Sequence, residues 1–263
     1  MAVKWVFFLG AHCTITPSLV ATSRREREIF KKFGTHVILP EELNSSIKNV
    51  PPNSNFLPNR GNYSSSDFII DMNSRISRNE EIEQVLFFDE SLLGSTRRNV
   101  KSAQLYPSLR KTIRGIPQKF DNPWHTICFC MAPYHEFFEN CYLDSPAVRA
   151  EINVVEFKKS VLRFERTWIN VIEDISNRLP NISVKIWRSD TTPKLRQPIE
   201  KVVFNAAGGF MPREIEFGND FINKARKNTV SIWTQEEIER SNSQFESDWY
   251  FISSGWNDYL IRD

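Results

Sequence analysis

The sequence predicts an α/β protein in which a mostly parallel sheet lies between two layers of helices. Three observations lead to this prediction. Short apolar runs of strand length recur along the chain as far as residue 187, and most of them end in a glycine-containing, acidic or proline-containing turn. Amphipathic segments of helical length separate these runs, which is typical of repeated strand–helix–strand units. The last stretch is charged and reads as short helices, so we expect a helical C-terminal portion.

Length and composition indicate a single domain. The chain has 263 residues, and we expect one domain over 1–263, with the sheet core in 1–190 and the helical portion in 191–263. The formal net charge of +2 is too small to indicate a nucleic-acid partner. Because no apolar run could span a bilayer and Lys4 interrupts the first run, we expect a cytoplasmic protein without membrane segments. The 4 cysteines lack zinc-type and disulfide-type spacing, so we expect reduced thiols and no metal.

The first predicted strand, at residues 3–9, organises the rest of the chain. It is apolar and aromatic except for Lys4, and Gly10 ends it. A polar turn follows, and residues 18–34 have the pattern of an amphipathic helix. A strand, a glycine turn and a helix N-terminus together can direct main-chain N–H groups at an anion, usually a phosphate. The same pattern also fits an ordinary strand–helix junction, and the loop alone leaves both readings open.

The remaining elements are predicted from periodicity and turn residues. In chain order they are a short segment beside the sheet at 35–40, a long Asn-, Ser- and Pro-rich surface loop at 41–66, a helix at 67–79, a core strand at 84–88, a helix from 108, a strand at 124–131, a turn and helix over 132–142, helical structure over 147–179, a strand at 181–187 and a helix at 199–206. Aromatic residues are frequent near the C-terminus, and we expect them to anchor a helix on the core.

Two adjacent carboxylates, Asp89 and Glu90, follow the predicted strand at 84–88. In open α/β sheets, binding sites lie at the carboxyl ends of the strands. Either carboxylate can therefore serve as a general base if its pKa is suitably placed. Asp89 or Ser91 can equally cap the helical turn that follows. Position in the sequence leaves both roles open.

The order and spacing of several short motifs carry a family resemblance. The motifs are Gly10-Ala11-His12 with Thr14 and Thr16, the acidic pair and Leu-Gly turn within 88–94, Leu105-Tyr106-Pro107, and Ala132-Pro133-Tyr134 followed by Phe137, Phe138 and Tyr142. Together they resemble the sulfotransferase-like P-loop family found in bacteria, over about 3–195 and more weakly beyond. The resemblance implies a P-loop NTPase/sulfotransferase-like fold and phosphoadenosine phosphosulfate (PAPS) as the sulfuryl donor.

The resemblance also implies which residues would form the active site. The donor-binding positions are Gly10, Ala11, His12, Cys13, Thr14, Ile15, Thr16, Ala132 and Asn140, and the catalytic candidates are Asp89, Glu90 and His12. In the family, a loop Lys contacts the 5′-phosphosulfate, and an Arg and a Ser hold the 3′-phosphate. The matching positions here are Cys13, Ala132 and Asn140. The chain therefore lacks both cations of the family's donor site.

Two functions from different classes remain. The first is a pseudoenzyme with a degraded PAPS site, no cofactor and a binding or scaffolding role. The second is an active PAPS-dependent sulfotransferase acting on a hydroxyl or amine of a small molecule or glycan. The missing cations favour the first, because one charge-assisted hydrogen bond contributes roughly 1.5–3 kcal/mol. The sequence does not specify the acceptor, the protein partners or the oligomeric state.

The loss of two cations leads to two further expectations from the sequence. One is that other basic groups bind the donor in their place, and the candidates are His12, His135, Arg97 and Arg98. If only the side chains are missing, the substitution Cys13→Lys together with Ala132→Arg is expected to restore some affinity for the donor.

Overall fold

A computed structural model describes residues 3–10, 16–42, 65–76, 78–79, 81–113, 116, 120, 124–163, 165–189 and 231–255. It contains a five-stranded sheet in which every strand pair is parallel, with the order β2-β3-β1-β4-β5. The strands are β1 (Lys4–Phe8), β2 (Thr35–Ile38), β3 (Gln84–Phe88), β4 (Thr126–Met131) and β5 (Ser183–Arg188). The predicted α/β class is confirmed, and the sheet is parallel throughout.

Helices connect these strands. Within the described residues they are α1 (Thr16–Arg25), α2 (Arg27–Lys32), α3 (Ser65–Ile76), α4 (Thr96–Ser102), α5 (Leu109–Thr112), α6 (Tyr134–Leu143), α7 (Pro146–Glu151), α8 (Val154–Val161), α9 (Trp168–Arg178) and α10 (Gln235–Gly255). A short 3-10 helix at Glu90–Leu93 follows β3. The predicted helix at 199–206 and most of the predicted loop at 41–66 lie outside the described residues.

Strand β1 lies at the centre of the sheet, between β3 and β4. Phe8 is opposite Phe88 of β3 on one side and Cys128 of β4 on the other. The Phe8 and Phe88 rings stack with their centroids 4.6 Å apart. All residues of β3 and β4 are buried, which explains why both strands read as continuous apolar runs without alternation.

The two faces of the sheet are covered by different helices. Val6 and Phe8 point to a cluster that contains Leu19 of α1 and Phe30 of α2. Neighbouring β1 side chains point to a larger cluster that contains residues of the helices after β2. The connection from β1 to β2 runs across the sheet in the opposite direction to the later ones, and right-handed crossovers therefore place its helices on the other face. The predicted three-layer arrangement follows.

The sequence overestimates the length of two helices. The helical structure predicted over 147–179 is three helices, because side-chain caps start a new helix twice. Asn153 accepts the N–H groups of Val155 and Glu156, and Thr167 forms a capping box with Asn170 at the start of α9. The helix predicted over 18–34 is divided into α1 and α2 at Glu26. Cys128, Cys130 and Cys141 are buried free thiols, as expected for those three.

The C-terminal helix α10 packs on the core through aromatic anchors. Trp233 just before it and Phe245 within it are buried, which confirms the predicted docking. Tyr250 and Phe251 are exposed, so not every aromatic residue in this stretch serves as an anchor. Among the described residues, no helix is both long and apolar enough to cross a membrane.

His125 lies just before β4, at the amino end of the sheet, and accepts a hydrogen bond from the main chain of β1. Its Nδ1 accepts the main-chain N–H of Trp5 at 3.1 Å, so the ring is neutral with its proton on Nε2. Burial, and then the charge of Lys4, hold the pKa of His125 below the ordinary value of 6.5. Protonation of Nδ1 would remove the acceptor and place a charge in a partly buried site.

We expect acid to destabilise the protein through His125. Because the folded-state pKa is depressed, the stabilisation is fully present above about pH 6.5 and is lost as pH falls through the folded-state pKa. The change His125→Asn keeps an acceptor in the position of Nδ1 but does not titrate. Urea unfolding at several pH values should show the wild type losing roughly 1 kcal/mol relative to this variant on acidification. Parallel pH profiles for the two proteins would contradict the assignment.

Candidate functional site

The carboxyl ends of β3, β1 and β4 lie side by side and define the candidate site. The N–H of Leu9 donates to the carbonyl of Cys128 at 3.0 Å, and the N–H of Asp89 donates to the carbonyl of Phe8 at 3.4 Å. The chain leaves β1 towards β2 but leaves β4 towards β5, in the opposite direction. The gap between β1 and β4 is therefore a topological switch point, where open α/β sheets bind ligands.

The first strand–helix connection starts at this switch point. Gly10 directly follows the buried end of β1 and is itself buried. The predicted donor-binding residues Ala11, His12, Cys13, Thr14 and Ile15 lie outside the described residues, as does the side chain of Thr16. Thr16 is the first residue of α1. A strand followed in the chain by a helix agrees with the sequence prediction; the predicted turn between them lies outside the described residues, and the roles of these side chains stay predictions.

Asp89 caps the turn that follows β3. Its Oδ1 accepts the main-chain N–H of Ser91 at 2.9 Å and also the Ser91 hydroxyl. Asp89 is buried, whereas Glu90 is partly exposed as the first residue of the 3-10 helix. The capping role is thus established, and a role as general base stays a prediction for both carboxylates.

Ala132, at the position where the resemblance predicts a second cation, has an apolar side chain. It is 1% exposed and belongs to the larger core cluster. Its carbonyl accepts the indole N–H of Trp168 at 2.9 Å, so a buried aromatic residue holds the turn after β4. Asn140 is partly exposed near the end of α6, about 9 Å along the helix from its first residue, since each residue rises about 1.5 Å. The site therefore gains no positive charge at either position.

Among the described residues, the candidates for replacement cations contact other groups of the chain. Arg97 is largely exposed and lies 3.9 Å from Glu151. Arg98 donates to the hydroxyl of Ser108. The His135 Nδ1 lies 3.3 Å from the Ser241 hydroxyl. None of these contacts directs a positive charge at the end of β1, and His12 lies outside the described residues.

A cation that the sequence analysis missed lies on the neighbouring strand. Arg188 ends β5 opposite Met131 and is 9% exposed. Its guanidinium forms two hydrogen bonds to the carboxylate of Glu246, one of them 2.8 Å long. It also lies over the rings of Phe245 and Trp249, with 4.8 and 5.4 Å to the ring centroids. Its charge is therefore neutralised and enclosed by α10.

A buried polar cluster, also missed, joins the turn after β4 to α10. The Tyr134 hydroxyl donates to the Asp248 Oδ2, which also accepts the main-chain N–H of Trp168 at 3.0 Å. Gln244 donates to the Asp248 Oδ1 at 3.1 Å. Burial raises the pKa of Asp248, although these hydrogen bonds act against the shift, and burial also raises the pKa of Tyr134. We call this set the Asp248 cluster.

One signal in the sequence could have revealed Asp248. It lies between Phe245 and Ile252 at helical spacing, so it is a carboxylate on the apolar stripe of α10. A carboxylate in that position must find donors when the helix packs. Nothing in the sequence indicates that the donors are Tyr134 and Trp168, which are 114 and 80 residues away in the chain. Among the described residues, no cluster of His, Cys, Asp and Glu is arranged to hold a metal ion.

Comparison with known protein families, with curated proteins and with solved structures finds no match for this chain. The resemblance to sulfotransferases therefore stays a prediction from the motifs.

Proposed function

We propose that this chain is a sulfotransferase-like protein whose donor site is degraded, and that it has a binding or scaffolding role without PAPS. The observation that most supports this proposal is the burial of Ala132. Its side chain belongs to the apolar core cluster, and its carbonyl already accepts the Trp168 indole. At this position the chain supplies packing where the family supplies a charged phosphate ligand.

The charges at the strand ends support the same proposal. Arg188, at the end of the neighbouring strand β5, is already paired with Glu246, whereas the acidic pair Asp89-Glu90 matches the family motif and favours neither function. A dianionic phosphate gains roughly 1.5–3 kcal/mol from each charge-assisted bond, and every ~1.4 kcal/mol changes affinity tenfold. Without the two family cations, the affinity for PAPS is expected to fall by orders of magnitude.

The alternative is an active transferase in which Asp89 or Glu90 is the base, and a transfer assay separates it from the pseudoenzyme. The purified protein is incubated with PAPS labelled in the sulfuryl group and with hydroxyl- and amine-containing acceptors. We expect no transfer and no release of labelled sulfate above the protein-free blank. The matched control is Asp89→Asn, which keeps an acceptor for the Ser91 N–H and should give the same background. Turnover by the wild type would establish the transferase instead, and its loss in Asp89→Asn would identify Asp89 as the base.

A further inference from the structure

A cleft in the helical layer is a second candidate binding site. It has a volume of about 580 Å³ and lies between the first turn of α6, the connection from α8 to α9, and the first half of α10. The lining residues used below are His135, Glu165, Trp233, Glu237, Arg240 and Ser241. The volume lies within the range of roughly 300–1,000 Å³ that is usual for small-molecule sites. Among the residues that the structure describes, no strand residue lines the cleft, and it is therefore separate from the gap between β1 and β4.

The walls of the cleft are held in place by contacts among the lining residues and their neighbours. The main-chain N–H of His135 donates to the Ser241 hydroxyl at 2.8 Å, and the Trp233 indole donates to the His135 carbonyl at 3.0 Å. Lys158 of α8 forms an ion pair with Glu237 at 2.6 Å. These contacts fix α6 and α8 to α10 and to the segment just before it, so the cleft is preformed and a ligand would not have to order it.

Two lining side chains of opposite charge, Glu165 and Arg240, can form ion pairs with a ligand. Glu165, on the connection before α9, is exposed and has no ion-pair partner among the described residues. Arg240, on α10, makes one long contact of 3.4 Å to the carbonyl of Leu162. A hydrogen bond of that length is weak, so the guanidinium can turn towards a better acceptor. Glu237 is neutralised by Lys158 and leaves the charge balance unchanged.

We propose that this cleft binds a small zwitterion of the α-amino acid type. The ligand carboxylate would pair with Arg240, whose planar guanidinium matches a carboxylate with two parallel hydrogen bonds. The ligand ammonium would pair with Glu165. A dianion such as PAPS is disfavoured by the Glu165 carboxylate. A purely apolar ligand is disfavoured because it would leave both charges and the polar lining unsatisfied.

Calorimetric titration with individual free amino acids at millimolar concentration tests the proposal. The probes are glycine, leucine, phenylalanine, glutamate and lysine, together with the N-acetyl and the amide derivative of each. We expect at least one free amino acid to bind, and we expect both of its derivatives to bind at least about tenfold more weakly, because each lacks one charge. No binding by any free amino acid would overturn the proposal, as would equal binding by the derivatives.

Variants locate the site. Arg240→Gln and Glu165→Gln should each lower the affinity for the amino acid that binds by about tenfold or more. Arg163→Gln is the matched control, because Arg163 is exposed on the same connection but does not line the cleft. Binding that is unchanged in both cleft variants would place the ligand elsewhere and overturn the proposal. The result does not depend on PAPS, since no residue of the strand-end site is altered.

Discussion

Asp248→Ala is expected to destabilise the protein by about 3 kcal/mol, measured as the free energy of unfolding in urea. The substitution removes the carboxylate that accepts the buried Tyr134 hydroxyl and the main-chain N–H of Trp168. Each buried donor left unsatisfied costs roughly 1–3 kcal/mol. The effect should be large because Asp248 joins α10 to the first residues of two other helices, Tyr134 of α6 and Trp168 of α9.

Two further variants test the assignment of the Asp248 cluster. Tyr134→Phe removes one donor but leaves Asp248 with the Trp168 N–H and Gln244, so a smaller loss of about 1 kcal/mol is expected. Ser247→Ala removes an exposed hydroxyl next to Asp248 in the same helix and should change the free energy of unfolding by less than about 0.5 kcal/mol. If Asp248→Ala were no more destabilising than Ser247→Ala, Asp248 would not hold α10 on the core.

Placing the cations of the sulfotransferase family at positions 13 and 132 should not produce donor binding, although the resemblance in the sequence suggests that it would. Ala132 is 1% exposed within an apolar cluster, so Ala132→Arg must bury a charge or displace the turn after β4. We expect Ala132→Arg to lower the free energy of unfolding by about 3 kcal/mol or more, because burying an unpaired ion costs several kcal/mol. The double variant Cys13→Lys/Ala132→Arg should still show no binding of PAPS.

A neutral variant separates charge from size in this experiment. Ala132→Met adds volume without charge and should be destabilising by only about 1–3 kcal/mol. Urea unfolding of the two variants then measures the contribution of the buried charge. An Ala132→Arg protein as stable as the wild type, with recovered donor affinity in the double variant, would show that position 132 can still face a ligand.

The sheet could be predicted from the sequence because its signal is local. The runs that became β3 and β4 are apolar at almost every position, and a strand buried on both faces requires this. Helix boundaries were less accurate, because Asn153 and Thr167 act through local capping hydrogen bonds within a continuing apolar pattern. Local pattern therefore predicted the layers, but not where the helices stop.

The site was less predictable because its properties depend on contacts between distant parts of the chain. The sequence places Asp89 at the end of a strand, but only the structure shows that its carboxylate accepts the capping hydrogen bond from the Ser91 N–H. The sequence shows that Ala132 stands where the resemblance predicts a cation. It does not show that the carbonyl of Ala132 accepts the indole N–H of Trp168, 36 residues later. The enclosure of Arg188 by α10 likewise depends on a helix that begins at Gln235.

Calorimetric titration of the wild-type protein with phosphoadenosine phosphate, the desulfated donor, tests the central claim most directly. It measures binding alone and requires no acceptor. A degraded donor site predicts no heat of binding up to millimolar ligand, while urea unfolding of the same sample shows that the protein is folded. Saturable binding with a micromolar dissociation constant would contradict the claim, because it would show that other residues of this chain replace the cations missing at Cys13 and Ala132.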